Sequence, residues 1–539
     1  MGSVLLSGMA LPAVPAPPAA ALARAVPVAG RGADPSQTFT YTGGAQTLTV
    51  PAGSVVTITA DGAGGADNTG TACSATGTGG TGAQVVTTLP QLTAATTFTI
   101  AVGGTGGKGC NGTGHGGVGG FNGGAPGGGY PVSGFRGEAP GGGGASSISS
   151  GGVLLVVAGG GGAAGGTGGS TAGGNGGSGG TPDATDGTVG SATGQGGSPG
   201  QGGGGGSTST SIAGTGGPGG SVPFCSVTNG GQGSGFSGDT VGLGGTGGSF
   251  DGGCAAVPTG AGGGGGGGYF AGGGGGSGAV NSVGTSGSGG GGGAGSSFAT
   301  PSGTSTTFAK STIGTANTNG QVTVSYVLPA TSTSVTSAPN PSFFGQPVTL
   351  TATVTGAYNT PTGTVTFTSG TTTTLCANVA FNSSGVATCT TSTLPVGNDT
   401  VTATYSGDAN NAPSYGSTQQ TVNTTVTALV AARATASLIR AGLGGVQVSG
   451  LSATLTNKAT GDPIAGQTIT FTSRVGNQAL CSAVTDVNGT ARCTATFNNG
   501  FAGNILAFDN LVIFGYTATY TATPGYTSST ANARIGISV

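Results

Sequence analysis

Eight cysteines are the residues of this sequence best suited to chemistry: Cys73, Cys110, Cys225, Cys254, Cys376, Cys389, Cys481 and Cys493. They fall two by two along the chain, and none forms a Cys-x-x-Cys unit. Zinc sites want closely spaced Cys or His pairs, and the single histidine, His115, supplies no second ligand type. Disulfides suit such a pattern in an oxidising exterior. Pairing of neighbours in chain order is the simplest connectivity, with free buried thiols as the other reading. Closing the short loops Cys376–Cys389 and Cys481–Cys493 is worth about 3 kcal/mol each in the chain-entropy model.

Other reactive constellations fail on composition or context. A Ser-His-acid triad would need His115, which lies in Gly114-His115-Gly116-Gly117 with no strand or helix to hold a general base. The acids are scattered, and many sit at turns such as Asp462 and Asp486, where the side chain serves the backbone. Gly106-Gly107-Lys108-Gly109 has the look of a phosphate loop but lacks the first glycine, the Ser/Thr and a following helix. Ser237-Gly238-Asp239 is a solitary copy of what a calcium-binding repeat would need many times. The expectation is no catalytic residue, no cofactor and no metal site.

The elements that carry these residues are strands and turns. Glycine (127 residues) and proline (26) make up about 28% of the 539-residue chain. Charged residues are 4%, the net charge is −2, and Trp is absent. Charged helix formers are therefore scarce, and Thr, Ser, Val and Gly favour sheet and turn. The chain has no cluster of Lys and Arg to displace counterions from a nucleic acid, and no polybasic segment for a membrane surface. From Phe39 to Val102 the residues alternate in strand fashion, as in Val55-Val56-Thr57-Ile58-Thr59 and Thr97-Phe98-Thr99-Ile100. Glycine then dominates to about Gly295, repeating every three residues around Gly165–Ser170 and Gly173–Ser178. A three-residue repeat matches the polyproline-II helix, which survives only if many helices pack together and share backbone hydrogen bonds. Frame breaks such as Gly262–Gly268 exclude collagen, and a flexible linker is the competing reading. Embedded apolar residues, Val153 to Ala158, call for a core.

Several motifs carry a resemblance. Phe39-Thr40-Tyr41, Leu48-Thr49-Val50-Pro51-Ala52-Gly53, Asp61-Gly62-Ala63-Gly64-Gly65, Val156-Val157-Ala158-Gly159-Gly160-Gly161 and the closing Gly320-Gln321-Val322-Thr323-Val324 stand in order. Over residues 37–328 the chain resembles the glycine-rich domain of bacterial surface proteins, a family that includes the glycine-rich region of anaplastic-lymphoma-type receptor kinases. The resemblance implies a β-framework with bundled glycine helices and does not imply catalysis.

After Pro329 one pattern occurs twice. Gly363-Thr364-Val365-Thr366-Phe367-Thr368-Ser369 matches Gln467-Thr468-Ile469-Thr470-Phe471-Thr472-Ser473, and Leu375-Cys376 to Cys389-Thr390 matches Leu480-Cys481 to Cys493-Thr494. Val401-Thr402-Ala403-Thr404-Tyr405 matches Tyr516-Thr517-Ala518-Thr519-Tyr520. Each copy offers the short alternating strands of a β-sandwich, with its cysteine pair expected to clamp a hairpin across its two strands. Both copies look like bacterial immunoglobulin-like domains of group 3 type. The second lacks the Gly407-Asp408 of the first, having Thr521-Ala522-Thr523-Pro524, and carries an extra stretch around Gly500 to Ile513.

The expected organisation is all-β: a signal peptide and leader (1–36), a glycine-rich β domain (37–328) and two immunoglobulin-like sandwiches (329–423 and 424–539). Val4 to Ala23 is apolar and ends in small-residue cleavage patterns, without a basic segment before it. No later stretch reaches the roughly 20 apolar residues needed to span a bilayer. The expected protein is secreted or displayed on the cell surface, non-enzymatic, with the sandwiches as spacers presenting the glycine-rich domain. The partner would be an extracellular protein, a glycan or a cell-wall component, and not a nucleic acid. The alternative is a module that binds a carbohydrate, polymer or ice surface through the glycine-rich face.

Overall fold

The computed structural model describes residues 34–68, 77–110, 112–130, 137–180, 182–190, 199–221, 227–250, 259–280, 286–382, 384–439 and 445–537. It is nearly all β. The first strands are β1 (Ser36–Thr40), β2 (Ala45–Val50), β3 (Val55–Asp61), β4 (Ala83–Thr88) and β5 (Thr96–Ala101). They continue with β6 (Ser146–Ser150), β7 (Val153–Ala158), β8 (Phe298–Ala299), β9 (Thr304–Lys310) and β10 (Gln321–Val327). One sheet has the order β1-β10-β3-β4-β9 and the other β2-β5-β6-β7-β8. Period-two alternation places Phe39, Val56, Ile58, Val85, Val322 and Val324 of the first sheet against Phe98, Ile100, Ile148 and Val156 of the second, all buried.

The glycine-rich residues leave this framework between strands: 62–82 after β3, 102–145 after β5 and 159–297 after β7. Among the described residues they form isolated bridges but no ladder, and many of their backbone groups are paired with one another. Gly289 and Gly292 donate to Gly166 and Ala163, Gly290 and Gly293 to Gly276 and Gly273, and Gly291 and Ala294 to Thr188 and Thr185, at 2.8–3.2 Å. Successive N–H groups thus address three different neighbouring segments, and the pattern returns every third residue. Buried backbone polar groups need partners, and this arrangement supplies them without a sheet. A Cβ on Gly162, Gly165 or Gly275 would overlap the carbonyl oxygen of Gly292, Gly289 or Gly290. Only glycine lets the segments approach so closely. Many side chains that enter the interior are small, Ala63, Ala163, Ala164, Ala261 and Ala294 being fully buried, while Glu138, Val241 and Phe250 are larger ones that also lie inside.

The next strands are β11 (Thr331–Ala338), β12 (Ser342–Phe343), β13 (Val348–Gly356), β14 (Thr364–Ser369), β15 (Thr373–Ala380), β16 (Val386–Thr391), β17 (Gly397–Tyr405) and β18 (Ser414–Asn423). They form a sandwich of β11-β13-β16 against β12-β18-β17-β14-β15. Leu350, Ala352, Val365, Phe367, Val401, Ala403 and Tyr405 fill its core.

A third sandwich follows, with β19 (Thr427–Ala431), β20 (Ala434–Ile439), β21 (Gly445–Asn457), β22 (Thr468–Ser473), β23 (Ala479–Val484) and β24 (Thr490–Phe497). Helix α1 (Gly500–Phe514) intervenes before β25 (Tyr516–Tyr520), β26 (Ser529–Ala533) and β27 (Ile535–Ile537). One sheet runs β19-β21-β20-β27 with β24 also on β21, and the other β23-β22-β25-β26. Ile469 and Phe471 take the places of Val365 and Phe367 in this core.

The extra stretch of the second copy is therefore a helix. It has no proline and only three β-branched residues, Ile505, Val512 and Ile513, and Gly515 at φ 80° stops it while donating to the Leu511 carbonyl at 2.8 Å. Leu511, Phe508 and Val512 fasten the helix to the core. Contacts also join the sandwiches. Asn359 donates to the Ala52 carbonyl (3.0 Å) and the Tyr358 hydroxyl to Gln91 (3.2 Å), with the Tyr358 ring over Gly53. At the following joint Phe344 packs over Gly525 and meets Tyr526 edge-on at 5.2 Å.

Candidate functional site

Cysteine pairs are the first constellation to place. Cys376 and Cys389 form a disulfide, as do Cys481 and Cys493, with Cα–Cα separations of 6.1 and 6.5 Å. The expected clamp across the two strands of one hairpin needs correction. Cys376 stands on β15 and Cys389 on β16, which belong to opposite sheets, and Cys481 on β23 and Cys493 on β24 repeat that arrangement. After a tight turn the chain crosses from one sheet to the other, so each bond ties the two layers along one edge. The turns are alike in detail. Asn382 Oδ1 accepts from Ser384 and Val386, and Asp486 Oδ1 from Asn488 and Thr490, while Gly385 and Gly489 take φ near 70°. Cys110 is also disulfide-bonded. Cys73, Cys225 and Cys254 lie outside the described residues, and with them the expected pairs Cys73–Cys110 and Cys225–Cys254.

His115 lies in an open depression of about 540 Å³ lined by Gly114, His115, Pro126, Tyr130, Ser249 and Phe250, among others. Behind it Glu138, the only glutamate, is fully buried. Its carboxylate accepts the Gly114 N–H (2.8 Å) and the Gly112 N–H (3.1 Å), which holds the loop that carries His115. The Tyr130 hydroxyl is committed to Thr259, and burial pushes it up to about 12. Ser249 Oγ accepts the Gly129 N–H at 3.3 Å. Among the described residues His115 itself is exposed and makes no hydrogen bond to Ser249 or Glu138. The Glu138 and Ser249 oxygens serve the backbone, and among the described residues no nucleophile–base pair with His115 is assembled. Among the described residues no three His, Cys, Asp or Glu side chains gather to hold a metal ion.

Two aspartates of the second sandwich, Asp408 and Asp399, have surroundings that the sequence does not show. Asp408 caps the loop after β17: it accepts the Thr362 and Asn410 N–H groups (2.7 and 2.8 Å) and the Tyr405 hydroxyl (2.8 Å). Burial alone would raise its pKa, but these hydrogen bonds outweigh it and lower the value to about 2. In the third sandwich the Tyr520 hydroxyl meets Thr523 (2.6 Å), which stands where the first copy has Asp408, and Gln467 (3.0 Å). Asp399 and Gln420 are cross-strand partners at the other end. Asp399 Oδ2 and Gln420 Oε1 are both buried without a hydrogen bond. Burial raises the Asp399 pKa, opposed in part by Ser369.

Paired sheets, cross-layer disulfides and an apolar centre define the class: β-sandwich domains of immunoglobulin type. Residues 335–427, covering most of the second sandwich, match the bacterial Ig-like domain (group 3). Among solved structures, the adhesin InvE of Yersinia pseudotuberculosis is 18% identical, covers 37% of this chain and 58% of its own, and has a TM-score of 0.18. The D0-D1 domain of intimin is 18% identical, covering 37% of this chain and 94% of its own at a TM-score of 0.14. A tetra-tandem repeat from the extending region of a large adhesion protein is 13% identical over 92% of this chain and 98% of its own, at 0.23. The chain thus spans little more than half the length of InvE. At such identities and scores these likenesses carry no functional meaning. No curated protein matches the chain.

Proposed function

We propose that this is a secreted or surface-displayed structural protein of adhesion type, in which the sandwiches at 329–423 and 424–539 act as spacers for the glycine-rich domain at 37–328. The observation that carries this reading is the pair of disulfides that tie sheet to sheet in successive sandwiches. Such bonds persist in oxidising compartments, and they stiffen a domain without contributing a reactive site. The match of residues 335–427 to a bacterial Ig-like domain supports it. The period-three hydrogen bonds support reading the glycine segments as polyproline-II-like helices in a bundle, in keeping with the resemblance to glycine-rich surface domains. The polar groups around His115 are spent on the backbone, which favours a non-enzymatic role.

The surface-binding alternative has one observation in its favour: outer glycine segments expose side chains every third residue, at Thr215, Pro218 and Ser221 and at Leu243, Thr246 and Ser249. Pro218 and Leu243 interrupt the hydroxyl rows, which leaves the spacer reading ahead. Fractionation of cells producing the full chain, with thiol labelling before and after reductant, tests the proposal. Recovery outside the cytosol with thiols that label only after reduction is expected. Cytosolic recovery with freely labelled thiols would overturn it.

A further inference from the structure

Charge in this molecule is sparse but unevenly placed. Residues 424–539 hold five arginines and Lys458 against Asp462, Asp486 and Asp509, whereas residues 37–423 carry three basic side chains and nine acidic ones. Three of those arginines come together in space at the C-terminal end of α1. The Arg474 guanidinium donates to the Phe514 carbonyl (3.3 Å), and its backbone N–H to the Gly515 carbonyl (3.2 Å). Gly515 packs against the Arg534 backbone, and the Ala434 N–H donates to the Arg534 carbonyl (3.2 Å), which brings Arg433 alongside. All three are exposed, and none has a carboxylate within ion-pair distance among the described residues.

Beside them the helix turns large apolar side chains to water. Leu506 is 64% exposed, Ile513 70% and Phe514 46%, and Ile537 on the adjoining β27 is 59% exposed. Ala502, Leu506, Asp509 and Ile513 line one outward stripe at helical spacing, with Asp509 its single charge. A surface helix of a soluble domain ordinarily turns its polar face outward. Relief of the helix dipole accounts for one cation at this end. It does not account for three cations together with exposed Ile, Leu and Phe. At 15 residues the helix is too short to span a bilayer. The arginines stand on the segments beside the helix rather than on it, and the pairing of an exposed apolar stripe with cations free of ion pairs is the combination that anionic lipid surfaces attract.

We infer that the third sandwich docks onto an anionic lipid bilayer, with Ile513, Phe514 and Leu506 entering the acyl boundary and Arg433, Arg474 and Arg534 meeting the phosphates. The opposite charge balance of residues 37–423 then turns the remainder away from the same surface.

Flotation of the full chain with phosphatidylcholine vesicles, with and without phosphatidylglycerol, tests this. Binding is expected only with the anionic lipid and falls as salt rises. Each of Arg474→Gln and Arg534→Gln lowers partitioning about fivefold. The double variant Ile513→Ser, Phe514→Ser abolishes it with thermal unfolding unchanged, since both side chains are exposed. No anionic binding, or binding indifferent to these substitutions, overturns the inference. Self-association lost in the same variants without vesicle binding would instead make this face a contact between copies, and would overturn it equally.

Discussion

Single residues in the second sandwich carry consequences of opposite sign. Asp408 is held at about 2, below its ordinary 3.8, by hydrogen bonds to its ionised form. A depressed carboxylate contributes stability above the unfolded value, and that contribution is lost as pH falls from 3.8 through about 2. Asp408→Ala is expected to lower the unfolding free energy by about 1–2 kcal/mol at neutral pH in urea titrations. It should also remove that acid-side step from the pH profile. Asp399 behaves the other way. Its raised pKa means that its protonated form fits the fold better, so the stabilising contribution is present at low pH and is lost as pH rises through the folded value. Asp399→Asn removes the charge whose burial raises the pKa and keeps an oxygen to accept the Ser369 hydroxyl. It is expected to gain about 1 kcal/mol at neutral pH, read by the same titration. Loss of stability would show that burial of the charge is not what this position costs.

At the scale of elements, the disulfides and the glycine segments do equivalent work by different physics. A bond between β15 and β16 joins two sheets that share no ladder, so its loss frees an edge of the sandwich. Cys376→Ser with Cys389→Ser should cost about 3 kcal/mol, seen as a lower melting transition for that sandwich. Each glycine segment instead depends on backbone approach from several neighbours. Gly162→Ala forces a methyl group onto the Gly292 carbonyl and is expected to cost about 3 kcal/mol. Gly44→Ala, with nothing nearby, should change stability by about 0.5 kcal/mol or less. Equal effects for the two glycines would mean that the bundle is not close-packed.

For the whole molecule the joints matter most. Tyr358 over Gly53 and Phe344 over Gly525 are single rings seated on glycines at φ 80° and 98°, so the sandwiches meet through small, specific contacts. Tyr358→Ala is expected to leave the melting of each sandwich nearly unchanged, and Phe344→Ala, whose ring also packs on the core of the second sandwich, to lower that sandwich's melting, while both widen the range of distances in small-angle X-ray scattering. A spacer needs those joints, and a profile unaltered by both changes would remove them as determinants of its stiffness. The lipid-facing end inferred for the third sandwich would give such a spacer a direction.

Much of this fold was legible in the residues because strand alternation is a local property. Val365 and Phe367, like Ile469 and Phe471, announce a buried face through their spacing alone, and repetition of the blocks announces two similar sandwiches. Helix α1 was not legible: its outward stripe holds Leu506 and Ile513 as well as Asp509, while Asn504 is buried, so polar and apolar residues do not separate into faces and the stretch has no period to read. Nor could spacing tell a hairpin clamp from an inter-sheet one, because a tight turn looks the same whether its strands pair or part. The arginines at 433, 474 and 534 stand far apart in the chain and meet only where β20, β27 and the end of α1 converge. Charge clusters and orphaned acceptors such as Gln420 Oε1 depend on which strands become neighbours. Sequence determined which residues turn inward, and tertiary structure alone decided which of them meet.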